Sequence, residues 1–278
     1  MNLVETIKTE FNEMTRSEKK TAAHFLKKPS DFAFLTLDKI AAKVELSTTS
    51  VLRFCRRMGY EGYRDFQEAV RDEGLYQPNL PEKYRRVTES PNRDELYTKA
   101  AFGSIACIQE SFDGFPPEEI EKAVSLLSGA KRVFTLGLKE SHALSHYLYT
   151  RLFTVRKNVF MLSSDYDSEP VLSLEKGDTV VVFLFHRYTR ATLKLLPLLK
   201  ERGADLVLIT SPPSDSVENF GTVLLNCRTD AKGIKNSFVA PLVLSDYLCN
   251  AVAVSLGDSA MEYMKNLEDL YKAVNTLD

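Results

Sequence analysis

The sequence predicts two folds in tandem, an all-α N-terminal domain followed by an α/β doubly wound parallel sheet. Three observations carry this. Residues 1–77 hold apolar stripes at helical spacing. The stretch 77–92, "QPNLPEKYRRVTESPN", then breaks the pattern with three prolines. Beyond it, short continuous runs of Val, Leu, Ile and Phe alternate with helical patterns, the signature of βαβ units.

The opening "MNLVETIKTEFNEM" places Leu3, Ile7 and Phe11 at near-helical spacing. Its acids and lack of a continuous apolar core argue against a signal peptide. A second stripe, Ala22, Ala23, Phe25 and Leu26, follows Ser17 as the expected N-cap and stops at Pro29. Behind Thr36, Leu37, Ile40, Ala41 and Val44 fall at i, i+3, i+4 and i+7.

The stretch "LSTTSVLRFCRRMGYEGYRDF", residues 46–66, follows at once. Ser47 sits where an N-cap belongs, and Gly59 stops the helix that it opens. At 100° per residue Val51, Phe54, Cys55 and Met58 share one apolar face. Thr49, Arg53 and Arg56 cluster opposite, flanked by Arg57 and Ser50, with Thr48 in the first turn. Two short helices joined by "ELS" have helix-turn-helix proportions, and the second presents hydroxyls and arginines outward. Such groups suit DNA: helix N-termini and hydroxyls meet phosphate, and arginine reads guanine bidentately. Glu45 occupies a turn position that glycine would fill more easily.

Charge sharpens this reading. With 36 Lys+Arg against 38 Asp+Glu the whole chain is near neutral, which excludes a general polyanion binder. Residues 48–64 carry Arg53, Arg56, Arg57 and Arg64 against Glu61 alone, a local +3. Residues 1–77 as a whole hold 13 basic and 12 acidic side chains, so the basicity is focused on one helix.

Five strands are expected at 132–138, 158–163, 179–185, 205–210 and 222–227, with crossover helices at 117–128, 141–153 and 189–201. The tail from Asn236 to Leu277 reads as two helices broken near Gly257 and Asp258. Continuous apolar runs such as "VVVFLF" are too short to span a bilayer, so no membrane association is expected. Cys55, Cys107, Cys227 and Cys249 are scattered without a CxxC pair, as in a reduced cytoplasmic protein.

The stretch 47–66 resembles the helix-turn-helix of the RpiR family of bacterial transcription regulators, whose signature is close to S-x-x-T-V-x-R-F-x-x-x-L-G-F-x-G-F. Ser47, Val51, Arg53, Phe54, Gly59, Gly62 and Phe66 stand in matching places, with Ser50 for the usual threonine and Tyr60 and Tyr63 for the aromatic neighbours. The resemblance implies a C-terminal SIS (sugar isomerase) domain that binds a phosphosugar at the carboxyl ends of its strands. It divides the chain into a DNA-binding domain 1–77, a linker 78–92 and a sensor and dimerisation domain 93–278.

Two loops are expected to hold the ligand. In the first, Gly137 and Ser141 match the family's G-x-x-x-S, while Lys139 stands where a small residue is usual. In the second, the family's S-x-S-G-x-T aligns with Leu184, Phe185, His186, Arg187, Tyr188 and Thr189, so only the threonine survives. His186, Arg187 and Arg190 keep the loop attractive to anions, through long side chains instead of a backbone cradle. The expected effector is therefore a small anionic metabolite, a phosphosugar or a carboxylate. The competing explanation pairs these side chains with acids such as Asp165 or Asp167, or sets them along a subunit interface.

His142 and His146 stand at i, i+4 but lack the second-place glutamate and a third ligand, so neither metal nor cofactor is expected. The partners expected are double-stranded operator DNA, the effector and further copies of the chain in a homodimer or homotetramer. Phe238, Leu242, Leu248 and Val252 are candidates for that contact. The alternative is a sugar-phosphate isomerase with a helical extension, which needs a general base, His186 or Glu140, beside an intact phosphate cradle.

Overall fold

The computed structural model describes residues 3–72, 80–88, 93–162, 169–186, 188–212, 214, 217–231 and 233–274. The chain divides into two compact units, 1–79 and 80–278. The first is all-helical: α1 Leu3–Glu10, α2 Arg16–Lys27, α3 Pro29–Phe34, α4 Leu37–Lys43, α5 Thr48–Arg57 and α6 Tyr63–Asp72.

Thr15, not Ser17, caps α2. Its hydroxyl accepts from the Glu18 N–H, and the Glu18 carboxylate accepts from the Thr15 N–H at 2.8 Å. The spacing T-x-x-E is a capping box, which satisfies two orphan donors at once. Burial pushes the Glu18 carboxyl up, but those hydrogen bonds and the charges of Arg57 and Arg53 outweigh it and hold it below the usual carboxylate range. Pro29 does more than stop α2. It opens the short α3, where its fixed φ and missing N–H fit the first turn.

Phe66 is the hub of this unit's core. It meets Phe25, Phe32, Phe54 and Tyr60 edge-on, at centroid distances of 5.3 to 5.9 Å. Above it, the Tyr63 hydroxyl and the Gln67 amide both donate to the carbonyls of Phe32 and Leu35, so α6 satisfies the C-terminal end of α3.

The second unit begins with α7 Leu80–Thr88 and α8 Arg93–Asp113. Residues 80–88 fall within the stretch expected to be linker, and they form a helix. Pro81 sits in its first turn, where proline is tolerated. After α9 Pro117–Gly129 come β1 Val133–Gly137, α10 His142–Val155, β2 Val159–Leu162, α11 Glu169–Leu172, β3 Thr179–Phe183, α12 Arg190–Glu201, β4 Asp205–Thr210, β5 Val223–Asn226, α13 Val239–Leu256 and α14 Asp258–Ala273.

The five strands are all parallel in the order β2-β1-β3-β4-β5. The central strands β1 and β3 are buried at every position, as continuous apolar runs require. The outer strands are half open: Phe160 on β2 is exposed, and β5 alternates buried and half-buried. One face of the sheet packs with residues of α9, α10 and α13, including Leu127, Leu148 and Leu248. The other packs with α12 through Leu196 and Leu199.

Helix α13 is 18 residues long with a mean hydropathy of 1.6, long and apolar enough to cross a bilayer. The continuous runs alone did not reveal this, because Ser245, Asp246 and Asn250 interrupt it. Its Leu244, Leu248 and Val252 are instead part of the sheet domain's core. Leu248 and Val252 are therefore not available for contact with a second copy, and Phe238 packs against Phe185 in a tilted pair within the same domain.

All four cysteines are free and buried. Burial pushes the Cys55 thiol up to about 12 and the Cys107 thiol up to about 11, so both are inert thiols.

Candidate nucleic-acid interface and ligand cleft

Helices α4 and α5 are joined by a tight turn. The Leu46 N–H returns to the Ala41 carbonyl and the Glu45 N–H to the Ala42 carbonyl. This is a Schellman motif, with Glu45 at φ 49° in the left-handed position. Helix α5 ends in the same motif, Tyr60 returning to Cys55 and Gly59 to Arg56, with Gly59 at φ 89°. The two closures confine α5 to ten residues.

Ser47 caps α5, its Oγ accepting from the Ser50 N–H at 3.3 Å and lying 3.0 Å from Ser50 Oγ. Val51, Phe54, Cys55 and Met58 are buried. Ser47, Thr49, Arg53 and Arg56 are exposed, and Thr48 and Ser50 are half-buried. Arg57 departs from the sequence reading. Its Nε donates to Glu10 at 3.0 Å, with Glu18 at 3.7 Å and Glu13 at 3.8 Å. Only 28% exposed, it braces α5 against the acids of the preceding helices and does not belong to the outward face.

In the sheet domain the strand order reverses between β1 and β3, which makes the carboxyl ends of these strands the switch point of the fold. A cleft of about 300 Å³ opens there, lined by the loops after β1 and β3, by residues 234–236 and Phe238, and by α7. That volume is at the small end for metabolite sites.

Gly137 ends β1 and lies outside the cleft lining. A Cβ there would collide with the Ser141 carbonyl, so the close turn needs glycine. The turn puts Lys139 at φ 54° and brings Lys139, Glu140 and Ser141 to the cleft. Ser141 precedes α10, but its side chain makes no cap hydrogen bond.

After β3, His186, Tyr188 and Thr189 line the cleft. His186 Nδ1 lies 2.8 Å from Ser211 Oγ at the end of β4, and its ring stacks on Tyr188 at 5.4 Å. Thr189 Oγ1 is 2.6 Å from Thr192 Oγ1. Arg190, the first residue of α12, is exposed and does not line the cleft, contrary to the sequence reading. Arg187 lies outside the described residues, as do Asp165 and Asp167.

Sequence reasoning missed the rest of the wall. Lys83 of α7 is 7% exposed, and its Nζ donates to Asn236 Oδ1 at 2.9 Å. Lys235 pairs with Glu140 at the mouth. Among the described residues, three lysines, 83, 139 and 235, thus line the cleft with one carboxylate, Glu140, so the described lining carries more positive than negative groups. No local pattern singles these residues out, because Lys83 sits in a proline-rich stretch and Lys235 in a loop. His142 and His146 stack at 6.4 Å, and among the described residues no cluster of three His, Cys, Asp or Glu side chains has metal-site geometry.

Residues 1–75 match the helix-turn-helix domain of the rpiR family, and residues 126–251 match the SIS domain. Over 278 residues the chain is 24% identical to the HTH-type transcriptional regulator HexR of Escherichia coli (strain K12), spanning 98% of this chain and 95% of that one. HexR of Pseudomonas aeruginosa is 24% identical over 277 residues, spanning 96% and 95%. Among solved structures, Vibrio vulnificus NanR, complexed with ManNAc-6P, shares the fold with a TM-score of 0.59 at 18% identity, covering 98% of this chain and 99% of that one. The sugar isomerase domain of an RpiR transcription factor from Sphaerobacter thermophilus superposes with a TM-score of 0.60 at 20% identity, covering 63% and 99%.

A helix-turn-helix domain ahead of a SIS domain defines a DNA-binding transcriptional regulator. The chain belongs to the RpiR family of such regulators and is not an enzyme, its relatives along the full length being regulators.

Proposed function

We propose that this regulator acts in the cytoplasm and senses a small anionic metabolite, a phosphorylated sugar or a sugar acid, in the cleft at the ends of β1 and β3. The observation that carries this reading is the lining itself. Lys83, Lys139 and Lys235 surround a small cleft at the switch point, with the Ser141 and Thr189 hydroxyls beside them. Ammonium groups offer anions charge-assisted hydrogen bonds, and the hydroxyls suit a polyol. NanR of Vibrio vulnificus, solved with ManNAc-6P, lends support through its shared fold.

The DNA face in this proposal comprises Ser47, Thr48, Thr49, Ser50, Arg53 and Arg56 on α5. Arg57 is left out because three carboxylates already surround it. A ten-residue helix reads few base pairs, so two or four copies acting on a symmetric operator complete the reading. Exposed Leu96, Tyr97, Phe102 and Ile105 on α8 support self-association.

A thermal-shift screen of sugar phosphates, sugar acids and their uncharged parents tests the effector. A ligand at about 100 times its Kd stabilises the native state by about 2.7 kcal/mol, an easily measured rise in Tm. Charged members should raise Tm and uncharged parents should not. Equal shifts from both sets, or none from either, would defeat the reading.

A further inference from the structure

Among the described residues three that are not glycine have left-handed backbone: Glu45 at φ 49°, Lys139 at φ 54° and Asn158 at φ 61°. Two of them have local reasons. Glu45 closes α4 and pairs with Lys20. Asn158 carries the short amide that suits this region, and its Nδ2 donates to the Lys131 carbonyl at 3.4 Å. Lys139 has neither reason. It closes no helix but opens the single 3-10 turn Lys139–Ser141 ahead of α10. Glycine would hold the same turn without the clash between Cβ and the following carbonyl. What lysine adds is its ammonium, and strained backbone of this kind clusters where a side chain serves binding.

That ammonium belongs to the cleft's open side. Of the lining residues Leu138, Leu184 and Phe185 are buried, whereas Lys139 is exposed. The cleft's other described lysines are engaged: Lys235 pairs with Glu140, and Lys83 is buried and donates to Asn236. The Lys139 side chain forms no hydrogen bond or ion pair among the described residues. We propose that Lys139 recognises the effector's acid group, a carboxylate or a phosphate, and that the turn holds a strained lysine for this purpose. Its ammonium donates a charge-assisted hydrogen bond to one oxygen of that group. A charged group is costly to bury against apolar side chains, so the ligand's uncharged end is the one turned towards Leu138 and Phe185. The proposal rests on the effector reading above and adds the residue that sets the ligand's class and orientation.

The test uses the full-length protein, with glucose 6-phosphate, gluconate and glucose as probes, calorimetry for affinity and thermal melts for stability. The wild-type protein should bind at least one of the two acids and not glucose. Lys139→Gln keeps the left-handed side chain but loses the charge. It should bind that acid roughly 10- to 100-fold more weakly, as loss of a bond between charged groups implies, with Tm unchanged. Lys139→Gly loses charge and strain together. It should bind as weakly as Lys139→Gln, while its Tm without ligand rises by about 2–4 °C. Weakening confined to glucose 6-phosphate assigns Lys139 to a phosphate, and weakening confined to gluconate assigns it to a carboxylate. Undiminished affinity in either variant, or a Tm of Lys139→Gly that does not rise, overturns this inference alone. A wild-type protein that binds neither acid, or binds glucose as tightly, overturns the effector reading and this inference with it.

Discussion

Lys20 Nζ donates to Glu45 Oε2 at 2.7 Å, tying α2 to the left-handed residue that closes α4. The bond and the lysine's charge hold the Glu45 carboxyl below the usual carboxylate range. The position itself favours glycine, which adopts positive φ without a steric penalty. Glu45→Gly should therefore raise the melting midpoint of the helical unit by relieving backbone strain, despite losing the exposed ion pair. Surface pairs contribute little, so the backbone gain wins. A drop in Tm would show that the Lys20 bridge outweighs the strain.

On α5 the arginines should separate by role. Arg53 and Arg56 are exposed, and Arg53→Ala or Arg56→Ala should weaken operator binding by about 1–3 kcal/mol with little change in Tm. The same affinity should fall steeply with salt, since phosphate contacts release counterions. Arg57→Ala should instead lower stability by about 1 kcal/mol, because it strips a half-buried cation from Glu10 and Glu18. Fluorescence anisotropy on operator DNA, run beside thermal melts, separates the two outcomes. An Arg53→Ala protein that folds and binds normally would remove Arg53 from the interface.

Gly137→Ala tests the turn that sets the cleft. The added methyl group meets the Ser141 carbonyl, and backbone must shift to admit it. Overpacking of this kind costs about 1–3 kcal/mol, and displacement of Lys139 to Ser141 should weaken ligand binding as well. Unchanged affinity, measured by calorimetry with whichever ligand the screen finds, would mean that the β1 loop plays no part in recognition.

Asp178 links stability to pH. Its side chain is fully buried, and Arg132 reaches it through Nε at 3.0 Å and Nη2 at 2.5 Å. Burial pushes this carboxyl up, but the Arg132 hydrogen bonds, the Glu175 N–H and the charges of Arg132 and Lys131 prevail and hold it below its ordinary value. A carboxyl with a depressed folded-state pKa contributes stability in full above the unfolded value of about 3.9, and loses it as pH falls through the folded value. Asp178→Asn should thus cost about 3 kcal/mol at neutral pH. It should also flatten the loss of stability below about pH 4 in denaturant titrations. An unaltered acid limb would show that other carboxylates dominate it.

Much of this protein was legible from local pattern. Period and turn residues located α5, the parallel strands and their crossover helices to within a residue or two, because helix and strand impose different repeats on apolar side chains. The face shared by Thr49, Arg53 and Arg56 followed from 100° geometry alone, and Glu45 showed in advance where the backbone would be strained. Tertiary structure decided the rest. Arg57 sits one residue from Arg56, yet acids brought in from Glu10 and Glu18, far away in sequence, claimed it. The cleft's lysines come from residues 83, 139 and 235, and only the folding of α7 and the loop before α13 around the carboxyl ends of β1 and β3 brings them together. Periodicity reports which way a side chain points from its own element. Which charges meet there depends on long-range packing, and no window of neighbouring residues contains it.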